Sequence, residues 1–597
     1  MIGLTHQVIA SVKATLDYIP DPEYTNICIV VYNTSVLFFT FTNEVTDTPS
    51  IICMGDINNP FGPIPGSLAM FNVKKDRRKI DSILDKIIPI TTSSPRIPPG
   101  SCGGAALRSA IELLKDNSGK VLWFAMDIPS LGFGAVKDRT QPTLFNTDKE
   151  HTLLLPDEKN IAYSQVSELC FNNRIAIDIF ACPQSDIDLP TLSTVTTSTG
   201  GEIKYYRAFN LAEYGEKLHF DIFRNLTRYT VYDVSFNARC SVGLSIHKYY
   251  GSFGETFKGP IPYSVFDSDK CFSFTIRQDE KLKPGSIAYI QLAVLYTTGR
   301  QERKVRVFNY SLHVTSQMIQ VYSSIDLEAV LALEARLGGS VMMQLTVNDA
   351  REKLCQDCIS ILAYYRKTVS TVNDSIQFVL PESMKIFPLM ILGLLRTPAF
   401  GYIEDHKIDE RVVTLLQLHA CSFPWLFMKV YPRMYKVNGI LDECQDTGTF
   451  IENGGEYSQS IVKPVNIPTS MSKMSSVNAY LIVSSDYIYL YLPADVSESI
   501  LLEVFGKSTL EDIAPEEGVP VLETKGNERI RNVIEHFRKE VSGAYQQVVI
   551  APYSSLQAKF IIKNLMVEDS KNLKRELSYV QFLSYTHKMI LAKLKTF

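Results

Sequence analysis

Through the first third of the chain, apolar residues recur at helical spacing in some segments and in short strand-like runs in others. Strands that alternate with helices need crossover connections, which are typical of a mostly parallel sheet covered on both faces. The pattern therefore predicts an α/β domain over residues 1–215. The helices expected there cover 6–16, 75–87, 105–115 and 161–170, and two of the strands cover 120–126 and 174–182.

The pattern changes near residue 225, where helical spacing gives way to β-branched and aromatic runs. Turn signals, such as those at 283–286 and 297–300, separate several of these runs. Short strands at this spacing, with no long helix between them, predict an antiparallel sandwich or barrel over residues 225–315. Its five expected strands cover 229–240, 243–251, 271–278, 286–298 and 303–314.

The pattern predicts three further regions after this all-β unit. Residues 320–430 are mainly helical, as in the segment 348–366, whose apolar residues share one helix face. A second α/β unit follows over 438–570, and an amphipathic helix ends the chain over 575–597. The longest apolar run, 386–395, has half of the roughly twenty residues that a bilayer-spanning helix needs. Any membrane role would therefore be peripheral.

Charge and cysteine content narrow the class of protein. Lys and Arg total 60 against 64 Asp and Glu, which gives a net charge of −4 in 597 residues. A dedicated nucleic-acid-binding protein would normally carry a basic excess, so we expect no nucleic-acid partner. The eleven cysteines have no small-scaffold spacing, and reduced thiols in a cytosolic protein explain them most simply.

The sequence offers no catalytic constellation and no metal site. Cys355 and Cys358 have the spacing of half a zinc site, but no second pair exists, and both fall on the apolar face of a predicted helix. Cys102 stands in a glycine-rich segment that leads into another predicted helix. Asp127 ends a predicted strand, and one carboxylate alone cannot hold a cation. We therefore expect no enzymatic activity and no bound cofactor.

One basic cluster stands out in this nearly neutral chain. It consists of Arg300, Arg303, Lys304 and Arg306, at a turn and along the strand that follows it. Strand alternation places Lys304 and Arg306 on one face. Two interpretations stay open at this point: an ordinary solvated surface, or a surface that faces anionic lipid.

The segment LAVLYTTGRQERKVRV (292–307) resembles a strand–turn–strand of the Sec24 family, the cargo-adaptor subunit of the COPII inner coat. Further segments resemble the same family in the same order along the chain. They are DIPSLGFGAVKDR, RIAIDIFAC with STGGEIKYY, ARCSVGLSIHKYYGSF, NDAREKLCQDCISILAYYR with KIFPLMILGLLR, KIDERV, YPRMYKV, and the ending MVEDS with LSYVQFLSYTHKMI.

The resemblance implies a multidomain fold: a von Willebrand A-like trunk, a β-sandwich, a helical domain and a gelsolin-like domain. It implies no enzyme but a coat subunit that recognises export signals on cytosolic tails of cargo membrane proteins, for transport from endoplasmic reticulum to Golgi. Implied partners are the paralogous inner-coat subunit as a heterodimer, an anionic membrane surface and, indirectly, the coat's small GTPase and outer coat. The expected location is cytoplasmic, peripheral on endoplasmic reticulum exit sites and COPII vesicles.

The resemblance also implies a cargo-binding pocket, which in the family is partly an R-x-R-C strand beside an aliphatic residue of a neighbouring strand. Here Asn237 replaces the first arginine, Arg239 is the second, and Val294, beside Leu295, is the aliphatic residue. Arginine suits a carboxylate signal because the pair forms charge-assisted, often bidentate hydrogen bonds. The resemblance therefore predicts that these residues bind an acidic, apolar peptide.

The chain lacks the family's zinc ribbon, first sandwich strand and first trunk strand, so we interpret it as an N-terminally truncated fragment or gene model and expect no zinc. A truly minimal adaptor is the weaker alternative. Two alternative functions remain open. One is the GTPase-activating paralogue, which the ending of the chain disfavours: Val567, Glu568 and Asp569, then Ser578, Tyr579, Phe582 and His587. The other is an actin- or metal-binding protein that shares the trunk and gelsolin-like folds.

Overall fold

A computed structural model describes most of the chain: residues 2–42, 48–92, 100–115, 117–253, 259–370, 377–402, 408–441, 449–452, 460–515, 518–540, 545–569 and 577–596. The chain divides into two compact units. The first contains residues 1–316, 339–350 and 402–420, and the second contains residues 317–338, 351–401 and 421–597.

The trunk forms the first part of unit one, and the expected alternation of strands and helices is confirmed. Its strands are β1 (Asn26–Ile27), β2 (Val30–Tyr32), β3 (Val36–Thr40), β4 (Ser50–Met54), β5 (Phe71–Asn72), β6 (Gly119–Ala125), β7 (Ile175–Ala181) and β8 (Ile203–Tyr205). Its helices are α1 (Ile2–Thr15), α2 (Gly66–Ala69), α3 (Arg77–Thr92), α4 (Gly103–Leu114), α5 (His151–Leu154), α6 (Ala162–Asn172), α7 (Leu189–Leu192), α8 (Thr194–Thr197) and α9 (Leu211–Thr227).

Helix α9 corrects the predicted trunk boundary at residue 215, which falls inside it. Leu218 and Ile222 on this helix are buried against Phe180 and Tyr206 of the trunk. Asn210 begins the helix as an N-cap, because its side-chain oxygen accepts a hydrogen bond from the backbone N–H of Ala212 at 3.1 Å. The trunk core therefore extends to the end of α9.

Among the trunk residues that the structure describes, the strands do not form the expected single, mostly parallel sheet. Strands β6, β7 and β8 pair in parallel in that order, whereas β2, β3 and β4 form a separate antiparallel sheet, and β1 pairs with β5. Strands β2 and β6 do not pair with each other. Instead, the Tyr32 hydroxyl donates to the Phe124 carbonyl and accepts from the Trp123 indole N–H, both at 2.8 Å. Side-chain hydrogen bonds thus join the two sheets.

The sandwich follows the trunk in unit one, and its described residues form six strands. They are β9 (Thr230–Cys240), β10 (Leu244–Tyr250), β11 (Ile261–Asp267), β12 (Ser273–Gln278), β13 (Ile287–Thr297) and β14 (Arg303–His313). The sequence predicted only five, since β11 carries Pro262 and lacks a strict alternation. Because β11 is an edge strand, it tolerates a proline.

Two layers of unequal width build the sandwich. One is a four-stranded antiparallel sheet in the order β11-β9-β13-β14, and the other is the pair β10-β12. Aromatic and aliphatic side chains fill the space between them. The buried members are Val231, Val234, Phe236, Ile261, Tyr263, Val294 and Tyr296, and Tyr249, Phe253, Phe266, Phe272 and Leu292 pack against them.

The next region is helical, as predicted. Its helices are α10 (Met318–Ser323), α11 (Leu327–Met342), α12 (Val347–Thr368), α13 (Phe387–Arg396), α14 (Ile408–Ala420) and α15 (Phe423–Val430). Helix α13 is buried over its whole length, and Pro388 lies in its first turn, where its missing N–H leaves no helical hydrogen bond unmade.

The last region of unit two is the expected α/β unit, built on a five-stranded sheet in the order β18-β15-β19-β20-β21. The strands of this region are β15 (Arg433–Lys436), β16 (Thr449–Glu452), β17 (Ser460–Lys463), β18 (Asn466–Ile467), β19 (Tyr480–Val483), β20 (Tyr487–Leu492) and β21 (Gln547–Pro552). The helices are α16 (Asn438–Leu441), α17 (Glu498–Phe505), α18 (Lys525–Glu540), α19 (Leu556–Phe560) and α20 (Tyr579–Leu594). Since β15 belongs to this sheet, the region begins before the predicted residue 438.

Within the part of the chain that the structure describes, no helix is both long and apolar enough to cross a membrane.

Candidate peptide-binding surface of the sandwich

The register between β9 and β13 decides which of the predicted cargo residues can act together. Asn237 lies opposite Ala293, Arg239 opposite Gln291, and Leu295 opposite Ser235. Directly opposed residues project from the same face of a sheet, and faces alternate along each strand. Asn237, Arg239 and Leu295 therefore share one face, which is the face turned away from the sandwich core.

Val294 lies on the opposite face of the same sheet. It is paired with Phe236 and is only 9% exposed, within the cluster between the two sandwich layers. The structure therefore does not bring Val294 together with Arg239, and Val294 is a core residue. The aliphatic neighbour on the face of Arg239 is Leu295, which is 36% exposed.

Arg239 is exposed, and its guanidinium has no ion pair or hydrogen bond with any residue that the structure describes. Across the sheet from it, the Gln291 side-chain amide donates to the Asn309 side-chain oxygen at 2.9 Å. The nearest cross-strand polar groups thus satisfy each other, and the Arg239 charge remains available to a carboxylate from outside the chain.

Two apolar residues that sequence reasoning did not select extend this surface. Val305 pairs with Leu295 and is 64% exposed, and Val307 pairs with Ala293 and is 47% exposed. Alternation within the segment 303–307 could have identified them, because it sends these valines to one face and their basic neighbours to the other. We call the set Asn237, Arg239, Leu295, Val305 and Val307 the outer surface.

The basic cluster at 300–306 is largely neutralised by carboxylates. The Arg300 Nε atom lies 2.6 Å from Asp21 Oδ1, and the Arg303 Nη1 atom lies 2.8 Å from Asp233 Oδ2. Both pairs are at the surface, where such contacts contribute little to stability. Hydrogen bonding to Asp21 raises the pKa of Arg300.

The other two basic residues follow the predicted alternation. Lys304 and Arg306 pair with Tyr296 and Val294 respectively, which places both on the face turned toward the core side of the sheet. The Lys304 Nζ atom lies 2.5 Å from Glu302 Oε2, and this hydrogen bond raises the pKa of Lys304 and lowers that of Glu302. Arg306 has no charged partner among the described residues.

The candidate cysteines are packing residues in the structure. Cys102 and Cys358 are both fully buried. Burial raises the pKa of Cys102 to about 11 and that of Cys358 well above its ordinary value, so neither is poised as a thiolate. Among the described residues, no cluster of three or more histidine, cysteine or acidic side chains could hold a metal ion.

A buried arginine holds the sandwich against the trunk within unit one. The Arg228 Nη2 atom lies 2.6 Å from Glu202 and 2.9 Å from Asp267 at the end of β11, and the Nη1 atom lies 3.2 Å from Asp269. These carboxylates raise the pKa of Arg228. This network fixes β9 and β11, and through them the outer surface, relative to the trunk.

The segment that contains Val567, Glu568 and Asp569 accepts hydrogen bonds from Arg396 within unit two. The Arg396 guanidinium donates to the carbonyl oxygens of Met566 and Val567 through Nη1 at 3.2 and 2.7 Å. Through Nη2 it donates to the carbonyls of Asp569 and Leu577 at 2.7 and 2.6 Å.

The acidic side chains of the same segment bind the neighbouring α/β region. Tyr431 donates its hydroxyl to Glu568 at 2.6 Å, and Ser470 donates to Asp569 at 2.6 Å. The segment therefore connects helix α13, the α/β region and the beginning of α20.

Three family models match this chain in the order of its domains. They are the Sec23/Sec24 trunk domain over residues 2–226, the Sec23/Sec24 beta-sandwich domain over 231–315 and the Sec23/Sec24 helical domain over 326–426.

Curated relatives match across nearly the whole chain. Protein transport protein SEC24 B of Arabidopsis thaliana is 26% identical over 99% of this chain and 52% of its own length. Protein transport protein Sec24B of Homo sapiens is 26% identical over 97% of this chain and 45% of its own length. The chain thus spans about half the length of these relatives. The crystal structure of the human COPII-coat protein Sec24c shares the fold, with a TM-score of 0.88 at 23% identity over 99% of this chain and 75% of that chain.

Proposed function

Because the chain belongs to the Sec23/Sec24 family, we propose that it is an inner-coat subunit of COPII vesicles. In this role it recognises export signals on the cytosolic tails of cargo membrane proteins and packages them for transport from endoplasmic reticulum to Golgi. The role is binding rather than catalysis. Similarity to Sec24 proteins along nearly the whole chain supports this proposal over the GTPase-activating paralogue.

The observation that carries the cargo-binding role is the exposed Arg239 without a partner in the described part of the chain, on the same face as Leu295, Val305 and Val307. A carboxylate would form charge-assisted hydrogen bonds with this guanidinium. An adjacent apolar side chain of the signal would cover the leucine and valines. Asn237 contributes a neutral hydrogen-bonding group beside them.

The remaining partners belong to the same proposal. The chain pairs with the paralogous inner-coat subunit, meets the coat's small GTPase and outer coat indirectly, and lies on the cytoplasmic side of endoplasmic reticulum exit sites and COPII vesicles. The proposal includes no nucleic acid and no bound cofactor.

Peptide affinity tests the cargo-binding role directly. Arg239→Glu replaces the attraction for an acidic, apolar signal peptide with repulsion, and we expect affinity to fall about tenfold. Lys281→Glu is the matched control, because this lysine is exposed between β12 and β13 of the same sandwich and does not belong to the outer surface. Isothermal titration calorimetry of the whole chain with one unlabelled peptide measures the affinity of both variants. Equal affinities of the two variants for the peptide would contradict the role of Arg239.

Leu295 and Val294 are neighbours in the sequence but lie on opposite faces of the sheet, so substitutions at the two positions should have different effects. Leu295→Ser should weaken the same peptide while leaving the unfolding midpoint nearly unchanged, because the side chain is at the surface. Val294→Ser should lower the unfolding midpoint instead, because it places a hydroxyl in the core. A peptide affinity that responds to Val294 alone would place the binding site on the other face.

An anionic membrane surface is the proposed neighbour of the basic cluster. Arg300, Arg303 and Lys304 pair with the carboxylates of Asp21, Asp233 and Glu302. The four positive charges of the cluster and these three negative charges leave a net charge of one, at Arg306. At about 1 kcal/mol per basic residue near anionic lipid, attraction is weak and depends on Arg306. Arg306→Glu should abolish salt-sensitive flotation with phosphatidylserine vesicles. Flotation that ignores both salt and this charge reversal would contradict the membrane contact.

A further inference from the structure

Helix α14 comes from the helical region of the sequence but packs on the trunk. Its residues, Ile408–Ala420, belong to unit one, although the segments on either side, 351–401 and 421–597, belong to unit two. The family model for the helical domain covers residues 326–426 and so includes this helix. Within unit one, α14 contacts α5, α7 and β8. The side chains that hold α14 on the trunk therefore keep this segment in unit one.

A buried carboxylate fixes the first turn of α14. Asp409 is only 1% exposed. Its Oδ2 atom accepts a hydrogen bond from the backbone N–H of Ile187 at 2.7 Å, and its Oδ1 atom accepts one from the backbone N–H of Leu189 at 2.9 Å. Leu189 is the first residue of α7. Asp409 thus joins the beginning of α14 to the beginning of α7 inside the trunk.

The next two residues of α14 hold the helix with ion pairs. The Arg207 Nη1 atom lies 3.3 Å from Glu410 Oε2 near the surface. The Arg411 Nε atom lies 3.0 Å from Glu150 Oε1 of the trunk, and neither of these side chains is exposed. Each of these two carboxylates has a cationic partner. Asp409 has none among the residues that the structure describes, where its only partners are the two backbone N–H groups.

The surroundings of Asp409 oppose its negative charge. The charged side chains that face it from the trunk are Asp186 and Asp188, and the Asp188 carboxylate is already held by Arg139 at 2.6 and 3.0 Å. Burial, followed by repulsion from Asp186, raises the pKa of Asp409 to about 7 against the effect of the two hydrogen bonds. Tyr205 of β8 faces the same carboxylate, and burial raises its pKa, so it stays neutral.

We propose that the docking of α14 on the trunk is a proton-linked switch. The helix is held most firmly while Asp409 carries a proton, and it is released more readily once Asp409 is ionised. In a released helix, water would solvate this carboxylate, and an aspartate in water ionises near pH 4. Docking therefore takes up a proton between about pH 4 and pH 7, and its equilibrium constant falls by up to about tenfold per pH unit before it levels off.

Amide hydrogen exchange of the whole chain tests the switch. Mass spectrometry of peptides covering residues 408–420 gives their protection factors, which are corrected for the intrinsic pH dependence of exchange. We expect protection to fall about tenfold or more between about pH 5.5 and pH 7.5, with a plateau above that range. Constant protection across this interval, or protection that rises with pH, would overturn the proposal.

Three variants identify the group that titrates. Asp409→Asn cannot ionise and should remove the decline. Asp186→Asn removes the neighbouring negative charge and should move the midpoint of the decline to lower pH by about half a unit or more. Glu410→Gln is the matched control on the same helix. It loses the pair with Arg207 and should lower protection at every pH without removing the decline.

The variants also separate titration from a merely structural role. A destabilised α14 would lose protection equally at all pH values, whereas the switch predicts a change in the shape or midpoint of the profile. A decline that persists in Asp409→Asn would overturn the proposal, as would an unchanged midpoint in Asp186→Asn. If Asp409→Asn fails to fold, the midpoint in Asp186→Asn still decides. Neither readout involves a peptide or a coat, so this proposal can fail without the proposed function, and the reverse.

Discussion

Strands β7 and β14 lie in the same unit and have opposite environments. All seven residues of β7 are buried, because it lies between β6 and β8 and helices α6 and α8 pack on it. All eleven residues of β14 are exposed. Their sequences differ accordingly: β7 is almost continuously apolar, whereas β14 mixes basic, aromatic and polar residues.

The difference shows where burial stabilises unit one and where it contributes little. A covered central strand contributes apolar burial and fixes its register, because slippage would move every side chain to the wrong face. An edge strand that is uncovered among the described residues contributes little burial and leaves its side chains exposed. The following predictions probe this contrast, from the largest expected effect to the smallest.

The buried ion pairs of Arg228 and the exposed ion pair of Arg303 in β14 should differ most in their contribution to stability. Arg228→Met removes the buried guanidinium shared by Asp267 and Glu202 and leaves them only Lys270 and Lys204 as cationic partners. We expect a loss of about 3–5 kcal/mol in the free energy of unfolding. Arg303→Met removes the surface pair with Asp233 and should cost about 0–1 kcal/mol. Urea denaturation of both variants measures the difference. Similar losses would mean that β14 is covered in the folded protein.

Shortening an apolar side chain should lower stability in β7 much more than in β14, although by less than the loss of the buried ion pairs. Ile179→Ala creates a cavity in fully buried β7 and should cost about 2–4 kcal/mol. Val305→Ala shortens a side chain that is 64% exposed and should change stability by about 0.5 kcal/mol or less. The same denaturation experiment applies, and a costly Val305→Ala would show that this valine packs against another molecule or segment.

Buried and exposed carboxyl groups should respond to pH in opposite directions. Burial, and the nearby Asp186, raise the pKa of Asp409 to about 7, although its carboxylate accepts backbone hydrogen bonds from Ile187 and Leu189. Between about pH 4 and pH 7 the folded state then holds a proton that the unfolded state has lost, so stability falls as pH rises. Asp409→Asn should flatten that decline in pH-dependent thermal unfolding.

Glu302 is the exposed counterpart in this pH comparison. Its hydrogen bond with Lys304 lowers its pKa, so its contribution is present at neutral pH and is lost as pH falls. Glu302→Gln should leave the profile between pH 4 and pH 7 nearly unchanged, because solvent screens an exposed pair. A decline that persists in Asp409→Asn and disappears in Glu302→Gln would reverse the assignment.

The last prediction compares amide hydrogen exchange of β7 and β14 in the unsubstituted protein. Amides of β7 should exchange only on opening of the trunk, whereas amides on the open edge of β14 should exchange within the earliest time points. Mass spectrometry of peptides covering 175–181 and 303–313 compares them directly. Strong protection of every β14 amide in the isolated chain would contradict an open edge.

Local pattern predicted the elements well but not their pairing. Strands β6 and β7 and helix α6 lie within two residues of their predicted positions, because burial on both faces makes apolar runs unambiguous. The division of the trunk into separate sheets was not predicted, since no local pattern records which strand lies beside which. Strand β11 was missed because Pro262 weakens its strand signal.

The candidate site shows the same limit. Alternation correctly placed Lys304 and Arg306 on one face, because both belong to one strand. Arg239 and Val294 belong to different strands, so only the register between β9 and β13 reveals that they face opposite ways. Neutralisation of the basic cluster was equally hidden, because the partner of Arg300 is Asp21, 279 residues away in the sequence.

The Arg396 contacts have a consequence for the timing of synthesis. This arginine donates to carbonyls at Met566 and Leu577, which the ribosome adds 170 and 181 residues later. At about 5–20 residues per second, that interval is about 9 to 36 seconds. The four hydrogen bonds cannot all form in a nascent chain until Leu577 has been translated. Unit two therefore completes its folding late, and a truncated translation product cannot acquire this final closure.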